Sequence, residues 1–278
     1  MRDYGWDGQW GLEPTFQEYL EKLWILMDEV YRVLKDEGTA WINLGDTYNG
    51  IKVGNTSNKG YIENTIIDTF IKPKADLPNK CLLLIPHRFA IGCIDRGWIV
   101  RNDCIWAKRN AMPEPVQDRF SKKHEYFFFM VKNNKYYFDM ESIRQKSLPL
   151  NRWGGNKLIT KGISKWDKGT GQTLYRDREI QPNSGMKNPG DVTDFWDIPT
   201  KPSNEKHHAM YNTALIEKPI IAGCPVGGII LDPFCGTATT GCRAIDLDRK
   251  FIGIEGNSEY VKIGNKKLLP FQISQKLF

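Results

Sequence analysis

Between Gly227 and Gly241 the sequence reads Gly-Gly-Ile-Ile-Leu-Asp-Pro-Phe-Cys-Gly-Thr-Ala-Thr-Thr-Gly. An apolar run, Ile229 to Leu231, ends in the Asp232 carboxylate, turns through Phe234 and Gly236, and re-emerges with helical spacing from about Thr239. A strand, a tight loop and a helix in that order present backbone N–H groups and a helix N-terminus to a ligand. A second apolar run, Phe251 to Ile254, ends in Glu255. An acid about 20 residues beyond such a loop is spaced to accept hydrogen bonds from ribose hydroxyls. The competing reading is an ordinary strand-helix corner capped by threonine, and a lone glycine loop would favour it. With Asp232, Gly236 and Glu255 all in place, binding of an adenosine-bearing cofactor is favoured instead. The loop holds Asp-Pro-Phe where a dinucleotide site would carry G-x-G-x-x-G, which disfavours a nicotinamide cofactor.

These residues need α/β units to hold them. Thr15 followed by Glu18 forms a capping box, and Leu20, Leu23, Trp24, Met27, Val30 and Leu34 then recur at helical spacing. Gly38 ends that helix, and Thr39 to Leu44 reads as a buried strand emptying into Gly45-Asp46-Thr47-Tyr48. From Asn49 to Asn79 the chain is polar and rich in Gly and Pro, a length that marks a functional or mobile loop. Pro86 opens a helix whose expected buried face is Phe89, Ala90, Cys93 and Ile94. Strands are expected at Trp98 to Trp106 and Tyr126 to Val131, with one more short strand at Tyr136 to Phe138. A helix from about Thr213 to Ala222 precedes the opening strand, and Asn257 caps a last helix through about Leu268.

A chain of 278 residues with 40% hydrophobic and 26% charged residues is a soluble globular type. No apolar run approaches the roughly 20 residues of a membrane span, and the start lacks a signal-peptide layout, so a cytoplasmic location is expected. The six cysteines contain no C-x-x-C pair, which argues against a zinc or disulfide framework, and no metal is expected. Formal net charge is +6, and it is concentrated. From Arg144 to Lys187 there are ten basic residues, including Arg152, Lys157, Lys161, Lys165, Arg176 and Arg178, against three acidic ones. A charge run is usually a solvated face. Interleaved with Trp153, Trp166, Tyr175 and several glycines, this one predicts a polyanion-contacting surface.

The run Asp232-Pro233-Phe234-Cys235-Gly236-Thr237-Ala238-Thr239-Thr240-Gly241 is similar to the methionine-loop signature of the β-group DNA methyltransferases, which methylate exocyclic amines of adenine or cytosine with S-adenosylmethionine. Thr237 and Ala238 replace the usual Ser and Gly, and Ala238 removes a permissive backbone position, which predicts a slightly altered loop. His207, Ala209, Tyr211 and Leu215 resemble the element just upstream, with Asn212 in place of a proline. Trp106-Ala107-Lys108 through His124-Glu125-Tyr126, Arg2-Asp3-Tyr4-Gly5 and Gly11 to Thr15 also look like family sequence. The resemblance leaves out roughly 49–79 and 139–195.

It implies a Rossmann-like S-adenosylmethionine-dependent methyltransferase fold with a mostly parallel sheet, incomplete at the N-terminus, plus a small loop-rich insertion. Residues 1–138 would form the catalytic-side half, 139–200 the target-recognition insertion, and 201–278 the cofactor-binding half. Asp232, Phe234, Gly236, Thr239, Thr240 and His207 would surround the cofactor, and Glu255 would accept from its ribose. Arg152, Lys157, Lys161, Lys165, Arg176 and Arg178 would contact double-stranded DNA, whose target base must flip out of the stack.

A conjugated amine is a poor nucleophile and needs hydrogen-bond acceptors. The family supplies them with Asp/Asn/Ser-Pro-Pro-aromatic, on a strand expected beside the one ending at Asp232. No Pro-Pro pair occurs in this sequence. In relatives Arg-Asp-Tyr-Gly follows that tetrapeptide by a few residues, so the expectation is a shortened methyltransferase with two unpaired sheet edges. A partner chain would then supply the missing segment, and a cognate restriction nuclease would be a further partner. The alternative is a non-catalytic DNA-binding remnant. Asp46 is the one nearby carboxylate that could substitute, against the simpler reading of a turn cap.

Overall fold

The protein is described here by a computed structural model covering residues 9–50, 77–111, 113–144, 193–200 and 211–274. It divides into two compact units, one of residues 1–139 and 194–278 and one of residues 140–193. In the second unit, the described part is a short 3-10 turn at Glu141–Ile143, closed by an Arg144–Glu141 ion pair of 2.5 Å. His207 and the six candidate DNA-contacting residues lie outside the described residues.

The first unit runs α1 (Phe16–Val33), β1 (Thr39–Leu44), α2 (Ile85–Asp95), β2 (Ile99–Ala107), β3 (His124–Val131), β4 (Phe195–Asp197), α3 (Ala214–Gly223), β5 (Ile229–Asp232), α4 (Thr239–Asp246), β6 (Lys250–Gly253) and α5 (Ser258–Ser274). α1 starts where the capping box places it: Thr15 Oγ1 accepts from the Glu18 N–H at 3.2 Å and donates to Glu18 Oε1 at 3.0 Å. Strand order in the larger sheet is β1-β3-β2-β4, and β5 pairs with β6 alone. β1, β2 and β4 share one direction, β5 and β6 are parallel to each other, and β3 runs against both of its neighbours.

β3 is the spine of the larger sheet. Phe127 to Val131 are all buried, since strands flank both edges and helices cover both faces. Side chains alternate across a strand. Phe128 and Met130 therefore join Phe16, Leu20, Leu23 and Met27 of α1 and Phe89 and Cys93 of α2 in one cluster. Phe127 turns to the other face, with Cys104, Trp106, Trp196, Leu215, Ile216 and Ile220. Trp41 stacks on Phe129 with ring centroids 4.3 Å apart, and with Ile230 and Phe251 it extends this second cluster to the smaller sheet.

Three expectations shift. Tyr136 to Phe138 form no strand: the Tyr137 N–H donates to Glu37 O at 2.9 Å, and the rings of Tyr136 and Phe138 pack on Phe129. Their aromatic pattern comes from ring packing rather than from a ladder. Phe195–Asp197, placed by sequence at the end of the insertion, is a strand parallel to β2, anchored by the buried indole of Trp196. Ile94, expected on the buried face of α2, is exposed.

One face of the smaller sheet is bare. Ile230 and Phe251 point into the second cluster, so their neighbours Ile229, Leu231 and Ile252, with Ile254 just beyond, lie opposite and are 37% to 56% exposed. Among the described residues, β1 has no strand partner beyond β3, and β5 none beyond β6.

The two sheets meet through α3. Thr39 Oγ1 donates to Gly223 O at 3.0 Å, and a Cβ on Gly223 would stand 2.4 Å from Thr39 Oγ1 and 2.7 Å from Trp41 Nε1. Gly223→Ala is expected to cost about 1–3 kcal/mol by overpacking, read as a lowered urea midpoint. An unchanged midpoint would contradict this close approach.

Candidate cofactor site

Asp232 ends β5 and Glu255 follows β6, and the parallel pairing of these strands brings both acids to one edge. The loop between β5 and α4 is tied down by its own side chains. Asp232 Oδ1 accepts from the Phe234 N–H at 3.0 Å, an Asx-type turn, and Asp232 Oδ2 accepts from Thr240 Oγ1 in the first turn of α4. Tyr211 shares a short hydrogen bond with the same Thr240 hydroxyl. Glu255 spans two segments: Oε2 accepts from the Gly236 N–H at 2.9 Å and Oε1 from the Asn257 N–H at 2.8 Å. Asn257 Oδ1 in turn accepts from the Glu259 N–H at 2.9 Å, capping α5 as its position predicts.

Two loop residues take left-handed backbone, Gly236 at φ 51° and Ala238 at φ 60°. The second lacks glycine's freedom and carries a penalty of about 1–2 kcal/mol. Ala238 is buried, and its flank meets Gly264 of α5, where an added Cβ would come within 3.2 Å of the Ala238 methyl. Ala238 is thus held by packing in a left-handed backbone conformation that glycine would adopt without penalty.

Burial pushes the Asp232 carboxyl above its ordinary pKa, the Thr240 and Phe234 hydrogen bonds oppose the shift, and the nearby Glu255 charge adds to it. Burial also raises the Tyr211 phenol, with Asp232 reinforcing the effect. Phe234, by contrast, is 56% exposed. Its ring meets Trp10 edge-on at 5.4 Å between centroids. The site therefore offers two carboxylates with unused lone pairs, an open aromatic face and the N-terminal end of α4.

Asp232, Phe234, Gly236, Thr239, Thr240 and Glu255 all fall in this one region. Nothing in the sequence signalled Trp10 beside Phe234 or Tyr211 as a brace for Thr240. Asp46 follows the turn-cap reading: its Oδ1 accepts from the Thr47 N–H at 2.8 Å and from the Ile85 N–H at 3.1 Å. It thereby caps α2 from a distance, since Leu84 at the N-cap has no side-chain hydrogen bond to give.

A family model described as DNA methylase, of the N6 and N4 class, matches residues 2–266. The chain belongs to the DNA methylase family. The type II methyltransferase M.Cfr9I of Citrobacter freundii is 34% identical to this methylase, across 96% of this chain and 77% of the relative. Two solved structures share its fold. The cytosine-N4-specific PvuII DNA methyltransferase superposes with TM-score 0.57 at 17% identity, covering 91% of this chain and 71% of that one. TTHA0409 of Thermus thermophilus, complexed with S-adenosyl-L-methionine, gives TM-score 0.55 at 19% identity, covering 92% and 79%. The α/β architecture is the Rossmann-like methyltransferase fold expected from the sequence.

Asp232 also yields a stability prediction. Its folded pKa lies above the unfolded value, so its carboxyl contributes fully below the unfolded pKa, and that contribution is lost as pH rises through the folded one. Asp232→Asn keeps an acceptor for the Phe234 N–H and offers a donor to Thr240. The variant should melt above the parent at neutral pH, with the gain vanishing as pH falls below about 4, the ordinary carboxylate range. A variant less stable at neutral pH would contradict the buried-carboxylate account.

Proposed function

We propose that this methylase transfers a methyl group from S-adenosylmethionine to the exocyclic amine of adenine or cytosine in DNA. The observation that carries the reading is the pair of carboxylates, Asp232 and Glu255, bracing one loop at the ends of β5 and β6. The donor set fits the cofactor. From Asp232 to Gly241 the loop contains no Lys or Arg, which suits a positively charged sulfonium. S-adenosylmethionine supplies an electrophilic methyl group on that sulfonium. Asp232, Phe234, Gly236 and Thr240 would line its methionine part, and Thr239 and His207 would complete the set of cofactor-binding residues. Each Glu255 oxygen accepts one backbone hydrogen bond and keeps a lone pair for a ribose hydroxyl.

The target base leaves the duplex to bring its amine to the methyl group. The amine needs acceptors, and the exposed face of Ile229, Leu231, Ile252 and Ile254, beside a β5 edge that has no strand partner among the described residues, supports a strand and a helix packing there. In this reading a partner chain brings those acceptors. The basic insertion, with Arg152, Lys157, Lys161, Lys165, Arg176 and Arg178, positions the DNA through its phosphates. A nuclease reading the same sequence is the expected companion. No helix among the described residues is long and apolar enough to cross a membrane, and access to DNA is consistent with a cytoplasmic place of work.

Labelled S-adenosylmethionine incubated with mixed-sequence DNA and the chain, with the partner that supplies the acceptors present, followed by nucleoside digestion, should give labelled N6-methyladenine or N4-methylcytosine. Glu255→Ala should weaken cofactor binding about ten- to hundredfold, the worth of a hydrogen bond to a charged group. Neither label nor cofactor binding in any combination of chain and partner would overturn the reading. In a salt series, neutralising Lys157, Lys161 and Lys165 together should make the slope of log affinity against log salt shallower by about 2.7. An unchanged slope would return the insertion to an ordinary solvated face.

A further inference from the structure

The connection from β2 to β3, residues 108–123, holds a large aromatic away from every core. Phe120 is 96% exposed, whereas Val226, the next most exposed large hydrophobic among the described residues, is 71% exposed. Scattered surface apolar residues are normal, but they are rarely presented whole. Leaving a phenyl ring in water forgoes about 1.5–3 kcal/mol of burial.

A floppy tip would explain that exposure, but the loop is pinned on both sides of Phe120. Arg119 pairs with Glu114 at 2.7 Å, lies over the Tyr48 ring at 4.0 Å, and donates to the Phe120 carbonyl at 3.0 Å. Asp118 pairs with Lys80 at 2.5 Å. The Lys122 N–H donates to Glu114 Oε2 at 3.3 Å, its ammonium to the Asp46 carbonyl, and the Lys123 ammonium to Ala111 O at 2.6 Å. The backbone is fixed, and the ring is what those bonds hold outward.

The surroundings indicate the partner's chemistry. The loop carries Lys108, Arg109, Arg119, Lys122 and Lys123 against Glu114 and Asp118, with Lys108 paired to Glu125 and Arg109 to Asp197 at its base. It leaves from the carboxyl end of β2, the edge at which parallel α/β sheets bind ligands. A basic loop bearing one bare aromatic suits a polyanion with planar apolar faces, which is a nucleic acid. A ring that stacked on a base already held in a pocket would itself be partly walled in. Full projection fits insertion between stacked bases, where apolar side chains prop duplex DNA open.

We propose that Phe120 is a wedge that enters the base stack of bound duplex DNA. This rests on the DNA methyltransferase reading above and adds a positioning residue to it. Opening the stack at the target lowers the cost of extruding the base. Arg119 and Lys122 fix the angle at which the ring enters.

The test is titration of a fluorescein-labelled mixed-sequence duplex with the full chain, read by anisotropy across a salt series, with S-adenosylmethionine binding measured in parallel. Phe120→Ala should weaken duplex binding about five- to hundredfold, the range for loss of one aromatic-base stack. The salt slope should stay the same, since a phenyl ring releases no counterions. Phe120→Trp should restore affinity, and cofactor binding should be unchanged in both variants. Equal affinity of Phe120→Ala and parent overturns the wedge while leaving the methyltransferase reading intact. So does a loss that Trp fails to rescue, or an effect confined to self-association of the chain in sedimentation. If the parent chain binds no duplex at all, the functional reading falls and the wedge with it.

Discussion

Glu255 holds the site together. One oxygen accepts from Gly236 in the loop after β5, and the other from Asn257 at the head of α5. A single carboxylate thus fixes a left-handed turn against the helix that packs behind it. Hydrogen bonds to a charged group inside a partly buried loop are stronger than neutral ones. On the other side, Asp232 is caught between the Phe234 N–H and the Thr240 hydroxyl, and Tyr211 closes that chain. The rest of the smaller sheet exists to bring these two acids to one edge. Because β5 and β6 are parallel, Asp232 at the end of β5 and Glu255 just after β6 come to the same side.

Burial of Asp232 sets stability against function in this loop. The same desolvation that raises its pKa leaves a carboxylate aimed at a site where a positive ligand group would relieve the cost. Ala238 makes a second local sacrifice, taking left-handed backbone with a methyl group attached. Ala238 is packed against Gly264 of α5, and the cost of burying the Asp232 carboxylate is offset by the hydrogen bonds from the Phe234 N–H and the Thr240 hydroxyl. Ile229, Leu231, Ile252 and Ile254 lie on the other side of that sheet and are 37% to 56% exposed.

Much of this was legible in the sequence because it is written in local chemistry. Thr15 with Glu18 marked the start of α1, the Thr39 to Leu44 run marked β1, and Asp-Pro-Phe with Glu255 marked the loop that the two carboxylates brace. Contacts between distant segments left no local trace. Trp10 reaches Phe234 across more than two hundred residues of chain. Trp196 looked like the end of an insertion because its strand is three residues long and gains its identity only by pairing with β2. Tyr136 and Phe138 imitated a strand because rings packed on Phe129 give the same alternation as a ladder. Phe120 was invisible for the opposite reason: an aromatic in a polar loop reads as a core residue until the fold shows that no core receives it.

In the function proposed above, S-adenosylmethionine binds at the loop from Asp232 to Gly241, locked by Glu255. Amide hydrogen exchange with and without the cofactor tests it most directly. Slowed exchange is expected at Phe234 and Gly236 and at Asn257, with the amides of β3 unchanged because they are already protected by the core. Cofactor-dependent protection that leaves these amides untouched and appears elsewhere in the chain would contradict it.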